Sequence, residues 1–245
     1  MTQSSGHQFM QQTRYENLQP SPQKQGEPQP PIELEYDRNG VIIDLPSPET
    51  FPEININLLE FVELRTSVRR YTGQSVTLPE LSYLLWCTQG VKGIIQDKAT
   101  FRTVPSAGAC HAFETYLLIN NVEGVKPGLY RFLAIDHKLL AIDNSAKISD
   151  EIAEACLKQP SIKASAVTFI WTAVRSRMCW KYSDRGYRYL HLDAGHVCQN
   201  LYLTSESIGC GTCAIAAFDD DMLCNVLGVD GENQFPVYCA AVGKK

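Results

Sequence analysis

The chain has 245 residues, 44% of them hydrophobic, and its 22 basic and 27 acidic residues give a formal charge of -5. That apolar content is enough for one ordinary domain, and the acidic balance excludes the basic surface that nucleic acids and anionic membranes require. No apolar run approaches the roughly 18 residues that a membrane-spanning helix needs. We therefore expect a small partner, and neither a nucleic acid nor a membrane.

The nine cysteines are an odd number, and their spacing is not that of a disulfide framework. The start of the chain also lacks the basic segment and apolar run of a secretory signal. Together these features predict a reducing, cytoplasmic location.

Residues 1–31 are dominated by Gln, Pro, Ser and Gly, with almost no aliphatic side chains. Such a segment cannot bury enough apolar surface to offset the entropy that is lost on ordering. We predict a disordered N-terminal arm over residues 1–31 and a single domain over residues 32–245.

Two helices are predicted after the arm. Apolar residues recur at helical spacing over residues 54–65. Thr77 and Glu80 then form a capping box, and apolar residues at helical spacing continue to Val91, where Gly90 can end the helix. Residues 115–119 and 129–132 are rich in β-branched, aromatic and aliphatic side chains, which predicts a hairpin or two neighbouring strands.

The second half of the chain continues to mix helices and strands. The signals are N-terminal capping at Ser149, a helix-ending Pro160, and Gly209 after a long run at helical spacing. Helices are predicted at 149–160, 189–208 and 219–227, and strands at 166–174 and 236–242. Because the order lacks a strict βαβ rhythm, the fold class is α+β.

Several motif-like patterns lack the context that their chemistry needs. Residues 209–214 spell G-x-G-x-x-A, but they follow a helix and do not open one, as a dinucleotide site requires. Cys210 and Cys213 have no second ligand pair, and no histidine spacing fits a metal, so no metal site is predicted. Ser106 has only half of G-x-S-x-G and precedes a strand, so the tight turn around it fits a flat ligand against bare backbone as well as a nucleophile.

Two basic stretches remain ambiguous by themselves. Arg65, Ser67 and Arg69 present donors that suit a phosphate group, or simply a solvated helix end. The segment around Lys181 and Arg185 is either a functional site or a charged surface loop.

Taken in order, however, these motifs resemble the nitroreductase superfamily and, within it, the SagB-type dehydrogenases. The resemblance runs from about residue 58 to residue 244. It is carried by R-x-S-x-R-x-Y at 65–71, P-S-A-G-A at 105–109, K-Y-S-D-R-G-Y-R-Y at 181–189, D-A-G-H at 193–196 and I-G-C-G-T-C at 208–213, followed by F-D-D at 218–220 and V-G-K at 242–244.

This resemblance implies a homodimeric nitroreductase-like fold with a mixed or antiparallel central sheet between helices, and FMN held in clefts that both subunits form. The family's cofactor contacts fall on residues of three kinds: the arginine-rich segment, the small-residue turn and positions near the end of the chain. The implied FMN-binding residues are Arg65, Thr66, Ser67, Arg69, Pro105, Ser106, Ala107, Gly108, Ala216, Ala217 and Lys244.

Lys181 and Tyr182 match a Lys-Tyr pair that the azoline-oxidising members need for chemistry. The resemblance therefore implies dehydrogenation of an azoline-like heterocycle, with Lys181 as the base and Tyr182 positioning it or relaying the proton. Two alternatives stay open: an NAD(P)H-dependent nitro or quinone reductase, and a flavin-binding scaffold protein without activity.

Overall fold

A computed structural model describes residues 4–54 and 57–245. The helices of this part are α1 (Ser5–Gln12), α2 (Leu58–Leu64), α3 (Leu78–Gln89), α4 (Ile148–Ala155), α5 (Pro160–Ala164), α6 (Arg175–Tyr182), α7 (Gly186–Glu206) and α8 (Asp220–Leu227). The strands are β1 (Ile42–Asp44), β2 (Val91–Ile95), β3 (Ala99–Arg102), β4 (Phe113–Ile119), β5 (Gly128–Leu133), β6 (Lys138–Asp143), β7 (Val167–Val174), β8 (Cys210–Ile215) and β9 (Gln234–Lys244). No helix in the described part is long and apolar enough to cross a bilayer.

The described residues form one large sheet with strand order β1-β6-β5-β4-β7-β9-β8, and every neighbouring pair in it is antiparallel. The β2–β3 hairpin stands apart from this sheet. The predicted α+β fold, an antiparallel sheet flanked by helices, is confirmed.

The central strands pack on both faces because side chains alternate along a strand. On β4, Phe113, Leu117 and Ile119 point into a core that α3 and α7 cover. Tyr116 and Leu118 point to the opposite face, where they meet apolar side chains of α4, α5 and α8. The long helix α7 thus lies across one face of the sheet.

Most predicted elements are present, with shifted ends. The capping box of Thr77 and Glu80 starts α3 as predicted, and Gly90 ends it, but Val91 begins β2 and does not extend the helix. The helix predicted to end at Pro160 ends at Ala155, and Pro160 instead starts α5. The helix predicted from residue 54 is described from Leu58, and residues 55–56 of that prediction lie outside the described residues.

The prediction of a disordered arm is wrong for residues 4–31, while residues 1–3 lie outside the described part. Residues 5–12 form α1, capped by the Ser4 side chain. The arm docks through polar contacts: Arg188 Nε donates to Thr13 Oγ1 (2.7 Å), and Trp180 Nε1 donates to the Glu27 carbonyl (2.9 Å). Composition missed these contacts because arginine and tryptophan of the body supply the donors and the arm supplies mainly carbonyl oxygens.

Candidate functional site

The small-residue turn at 105–108 leads from β3 towards β4, and its backbone is strained. Gly108 has φ +58°, and the two non-glycine residues Ala109 and His111 also have positive φ, +54° and +41°. Side chains disfavour this left-handed region, and such strain persists only where surrounding contacts impose it, most often at functional sites. The turn is therefore held in a defined shape.

Asp193 of α7 imposes part of that shape. Its carboxylate accepts hydrogen bonds from Ser106 Oγ (2.6 Å) and from the Ala107 amide (3.2 Å), while Ser106 Oγ accepts from the His111 amide (2.9 Å). Burial raises the pKa of Asp193, and the hydrogen bonds from Ser106 and Ala107 oppose that rise. Because Ser106 donates to a carboxylate and not to an imidazole, the geometry does not fit an activated nucleophile.

Lys181 and Tyr182, at the end of α6, lie against this turn. Lys181 Nζ donates to the Gly108 carbonyl at 3.1 Å. A Cβ at position 108 would clash with the Tyr182 hydroxyl and come within 2.8 Å of Lys181 Nζ. Glycine is required here both by its positive φ and by the close approach of the two side chains.

The backbone that follows this pair is also unusual. Ser183 has φ 49° and ψ -146°, a region that non-glycine residues rarely adopt. Its hydroxyl donates to the Gln19 carbonyl of the arm at 3.0 Å. The Tyr182 ring packs edge-on against Tyr189, with ring centroids 4.9 Å apart, and burial raises the pKa of Tyr182. Contacts with the arm and with α7 thus fix the orientation of the lysine–tyrosine pair.

The arginine-rich segment lies at the far edge of the sheet, beside β8. Ser67 forms a parallel bridge with Thr212, and its hydroxyl lies 3.0 Å from Tyr202 Oη. The Arg65 guanidinium lies over the Tyr202 ring, 5.2 Å from its centroid. Arg69 donates from Nη1 to the Ser67 carbonyl (3.3 Å). Thr66, Ser67 and Arg69 are exposed and Arg65 is half-buried, so this segment presents hydroxyl and guanidinium donors to a ligand.

The structure brings some predicted site residues together and keeps others apart. Lys181, Tyr182 and the 105–108 turn meet directly, whereas the arginine-rich segment contacts α7 at Tyr202. Tyr202 lies about 13 Å along the helix axis from Asp193, at 1.5 Å per residue. The helix α7 therefore holds two separate halves of the candidate site.

The residues predicted near the chain end take different roles. Lys244 Nζ donates to Glu80 Oε1 (2.5 Å) and to the Ile208 carbonyl (3.0 Å), so its ammonium group already ties β9 to α3 and to the end of α7. Ala216 and Ala217 are exposed directly after β8, and the Ala217 carbonyl accepts a hydrogen bond from Gln159.

Sequence reasoning missed a buried charged cluster beneath the turn. The Glu114 carboxylate on β4 forms ion pairs with Arg131 (3.1 Å) and Arg177 (2.6 Å). Arg102 is also buried and donates to Gln89 Oε1 (2.8 Å). One signal was available, since Glu114 interrupts an otherwise apolar strand, and a buried charge needs a partner.

The α+β fold of this chain, in which a turn of small residues faces a lysine–tyrosine pair, is shared with known proteins. Residues 62–244 match the model of the nitroreductase family. A curated relative from Methanocaldococcus jannaschii, MJ1384, whose name assigns it to the nitroreductases, is 36% identical over 195 residues, which cover 79% of this chain and 94% of the relative. The chain belongs to the nitroreductase family, and this membership makes it an oxidoreductase.

A second curated relative is the trifolitoxin-processing protein TfxB of Rhizobium leguminosarum bv. trifolii. It is 27% identical over 133 residues, which cover 53% of this chain and only 36% of TfxB. Most of the length of TfxB is thus outside the match.

Solved structures share the fold. A nitroreductase-type structure from Anabaena variabilis aligns with a TM-score of 0.65 and 24% identity, covering 86% of this chain and 45% of that longer chain. The Escherichia coli microcin synthetase McbBCD complex, solved with truncated pro-MccB17 bound, aligns with a TM-score of 0.61 and 19% identity, covering 81% and 76%. A Desulfovibrio desulfuricans structure in complex with FMN aligns with a TM-score of 0.54 and 14% identity, covering 77% and 86%.

Proposed function

We propose that this chain is an FMN-dependent oxidoreductase that dehydrogenates an azoline-like heterocycle in a peptide or small metabolite, as SagB-type enzymes do. The observation that carries the proposal is the contact of Lys181 and Tyr182 with Gly108. That contact places a base and a phenol beside a turn of small residues whose backbone is open to a flat ligand.

The donor set supports FMN as the cofactor. Arg65, Ser67 and Arg69, with Thr66, would hold the phosphate and the polar edge of the ring, because guanidinium and hydroxyl groups suit both. Residues 105–108 would lie along the ring. Lys244 can join the phosphate site only if its ammonium group leaves Glu80 or uses its remaining donor, and Ala216 and Ala217 offer backbone and small apolar surface. FMN held by these residues would supply the hydride acceptor for a two-electron oxidation.

Lys181 has the position of the proton acceptor. Dehydrogenation removes a hydride from one carbon of the heterocycle and a proton from its neighbour, and Lys181 Nζ is the basic atom beside the turn. Tyr182, fixed against Tyr189, would orient the ammonium group or pass its proton to solvent. The end of α6 and the 105–108 turn would together align the substrate between the flavin and Lys181.

The likenesses to TfxB, a processing protein, and to the McbBCD complex with its bound peptide precursor support a peptide substrate.

Exposed apolar side chains on α2 support burial against a second copy of this chain; they are Leu58, Leu59, Val62 and Leu64. Free cysteines support a reducing, cytoplasmic location.

Replacement of the base tests the proposal. We expect Lys181→Ala to reduce azoline oxidation by about 100-fold or more, the usual contribution of a general base, while the flavin absorption is retained. Lys158→Ala is the matched control, because Lys158 forms an exposed ion pair with Glu154 outside the site. Full activity in Lys181→Ala would remove the assigned base and with it the SagB-type chemistry.

The identity to MJ1384 favours a second candidate, an NAD(P)H-dependent nitro or quinone reductase. Anaerobic mixing with NADPH separates the two. Rapid bleaching of the flavin, followed by reoxidation with a quinone, would support the reductase. A flavin that neither NADPH nor an azoline reduces would instead indicate a scaffold protein.

A further inference from the structure

A cavity of about 190 Å³ lies between the N-terminal arm and the turn that carries Gly108. Its roof is formed by Gln23, Gln29, Pro30 and Ile32, which lie outside the residues that match the family model. The other walls are Lys98, Ala99, Thr100, Gly108, Ala109, Cys110, Arg177, Trp180 and Lys181. The volume is smaller than an ordinary small-molecule site of roughly 300 Å³ or more, so it suits one end of a ligand.

Arg177, one of the walls, is buried and has a donor to spare. Only 4% of Arg177 is exposed. Its Nε donates to the Pro31 carbonyl (2.7 Å) and its Nη2 to Glu114 (2.6 Å), whereas Nη1 has no partner among residues 4–54 and 57–245. A buried guanidinium N–H without an acceptor is unfavourable, so a ligand that supplies an acceptor here would be stabilised.

The charged residues around Arg177 also favour an anionic ligand. Arg131 and Arg177 form ion pairs with the carboxylate of Glu114, and the buried guanidinium of Arg102 lies within the electrostatic influence of the same carboxylate. Burial, and then the charge of Arg102, lower the pKa of His111 to about 3, so His111 is neutral at physiological pH. The charged side chains that line the cavity are Lys98, Arg177 and Lys181, so positive charge exceeds negative charge among the described residues of its wall.

We propose that this cavity is an anion subsite that binds the carboxylate of a small organic acid through Arg177, and that the acid is the substrate's own anionic end. The second half of this statement rests on the proposed function. Because Gly108 and Lys181 line the same cavity, a carboxylate anchored at Arg177 would hold the attached ring beside the turn and the base. Substrates with a free carboxylate on the heterocycle would then be preferred over neutral ones.

The test is equilibrium binding, which needs no turnover. Thiazole-4-carboxylate and the neutral thiazole-4-carboxamide would be titrated calorimetrically into the full-length, FMN-loaded protein. We expect the carboxylate to bind roughly ten-fold more tightly than the amide, as one charge-assisted hydrogen bond provides. Equal affinities of the two compounds would overturn the proposal, and so would tighter binding of inorganic phosphate than of the carboxylate.

Variants of α6 locate the contact. Arg177→Gln should reduce the preference to about one-fold, and Arg177→Lys, which keeps the charge that pairs with Glu114, provides a folded variant if glutamine is not tolerated. Arg175→Gln is the control, because Arg175 starts the same helix outside this cavity and should keep the ten-fold preference. A preference that survives in both Arg177 variants would contradict the assignment.

The two proposals can fail separately. If the carboxylate preference is present but no azoline is oxidised, the anion subsite stands and the proposed reaction fails. If azolines are oxidised while acid and amide bind alike, the reaction stands and the subsite is wrong. If the protein takes up no FMN, the same titration on the flavin-free protein decides the subsite alone.

Discussion

Single side chains control the shape of the small-residue turn, and His111 is the one whose titration should report on it. Its pKa is lowered to about 3, chiefly by burial, from an ordinary value of 6.5. As the pH falls, His111 therefore binds a proton near pH 6.5 in the unfolded chain but only near pH 3 in the folded chain. Its contribution to stability is complete above pH 6.5 and is lost as the pH falls through this window.

We expect the free energy of unfolding, measured by urea titration, to fall between pH 6.5 and 4, with a smaller fall in His111→Asn. Asparagine is chosen because it tolerates the positive φ at this position. His191→Asn, at an exposed position on α7, is the control and should follow the wild type. Identical pH slopes in all three proteins would show that His111 is not buried as described.

At the scale of elements, the N-terminal arm is held by arginines of the body. Arg188 donates to Thr13 and to the Met10 carbonyl, and Arg185 stacks on Tyr15 with its guanidinium 4.2 Å from the ring centroid. Hydrogen bonds from a cationic donor, such as those of Arg188, are stronger than those between neutral groups. Loss of one should therefore open the arm far more often without unfolding the domain.

We expect Arg188→Ala to raise the rate of tryptic cleavage after Arg14 or Lys24 by about ten-fold or more, with an unchanged midpoint of global unfolding. The matched control is Arg38→Ala, at an exposed position outside this contact. Cleavage at the wild-type rate in Arg188→Ala would mean that the arm is held by other contacts.

At the scale of the whole molecule, the apolar surface on α2 and α7 is the feature that a single copy leaves unexplained. Leu59 and Leu192 are 65% and 61% exposed. A second copy would remove such surface from water, at roughly 25 cal/mol for each Å² buried. We expect the wild type to sediment as a dimer, and Leu59→Glu to sediment as a monomer that binds FMN weakly. The control is Leu157→Glu, because Leu157 is similarly exposed but lies on the turn after α4, outside the α2 and α7 surface. This variant should remain dimeric. A monomeric wild type would contradict the homodimer.

The sequence predicted the elements whose pattern and caps agree, such as α3 with its capping box and the buried strand β7. It missed β8, because Gly211 and Ala214 lower the strand propensity of this segment, which becomes a strand through its pairing with β9. The motif order predicts the turn and the lysine–tyrosine pair as candidate site residues. Their contact at Gly108, the anchor Asp193 and the charged cluster at Glu114 depend on tertiary packing, which no local pattern encodes.

The proposed FMN site is built from the 105–108 turn and the arginine-rich segment. The visible absorption spectrum of the purified protein, with mass analysis of what denaturation releases, tests it most directly. We expect a yellow protein that releases FMN on denaturation. A colourless wild type that also takes up no added FMN would contradict the cofactor assignment and the oxidoreductase mechanism proposed from it.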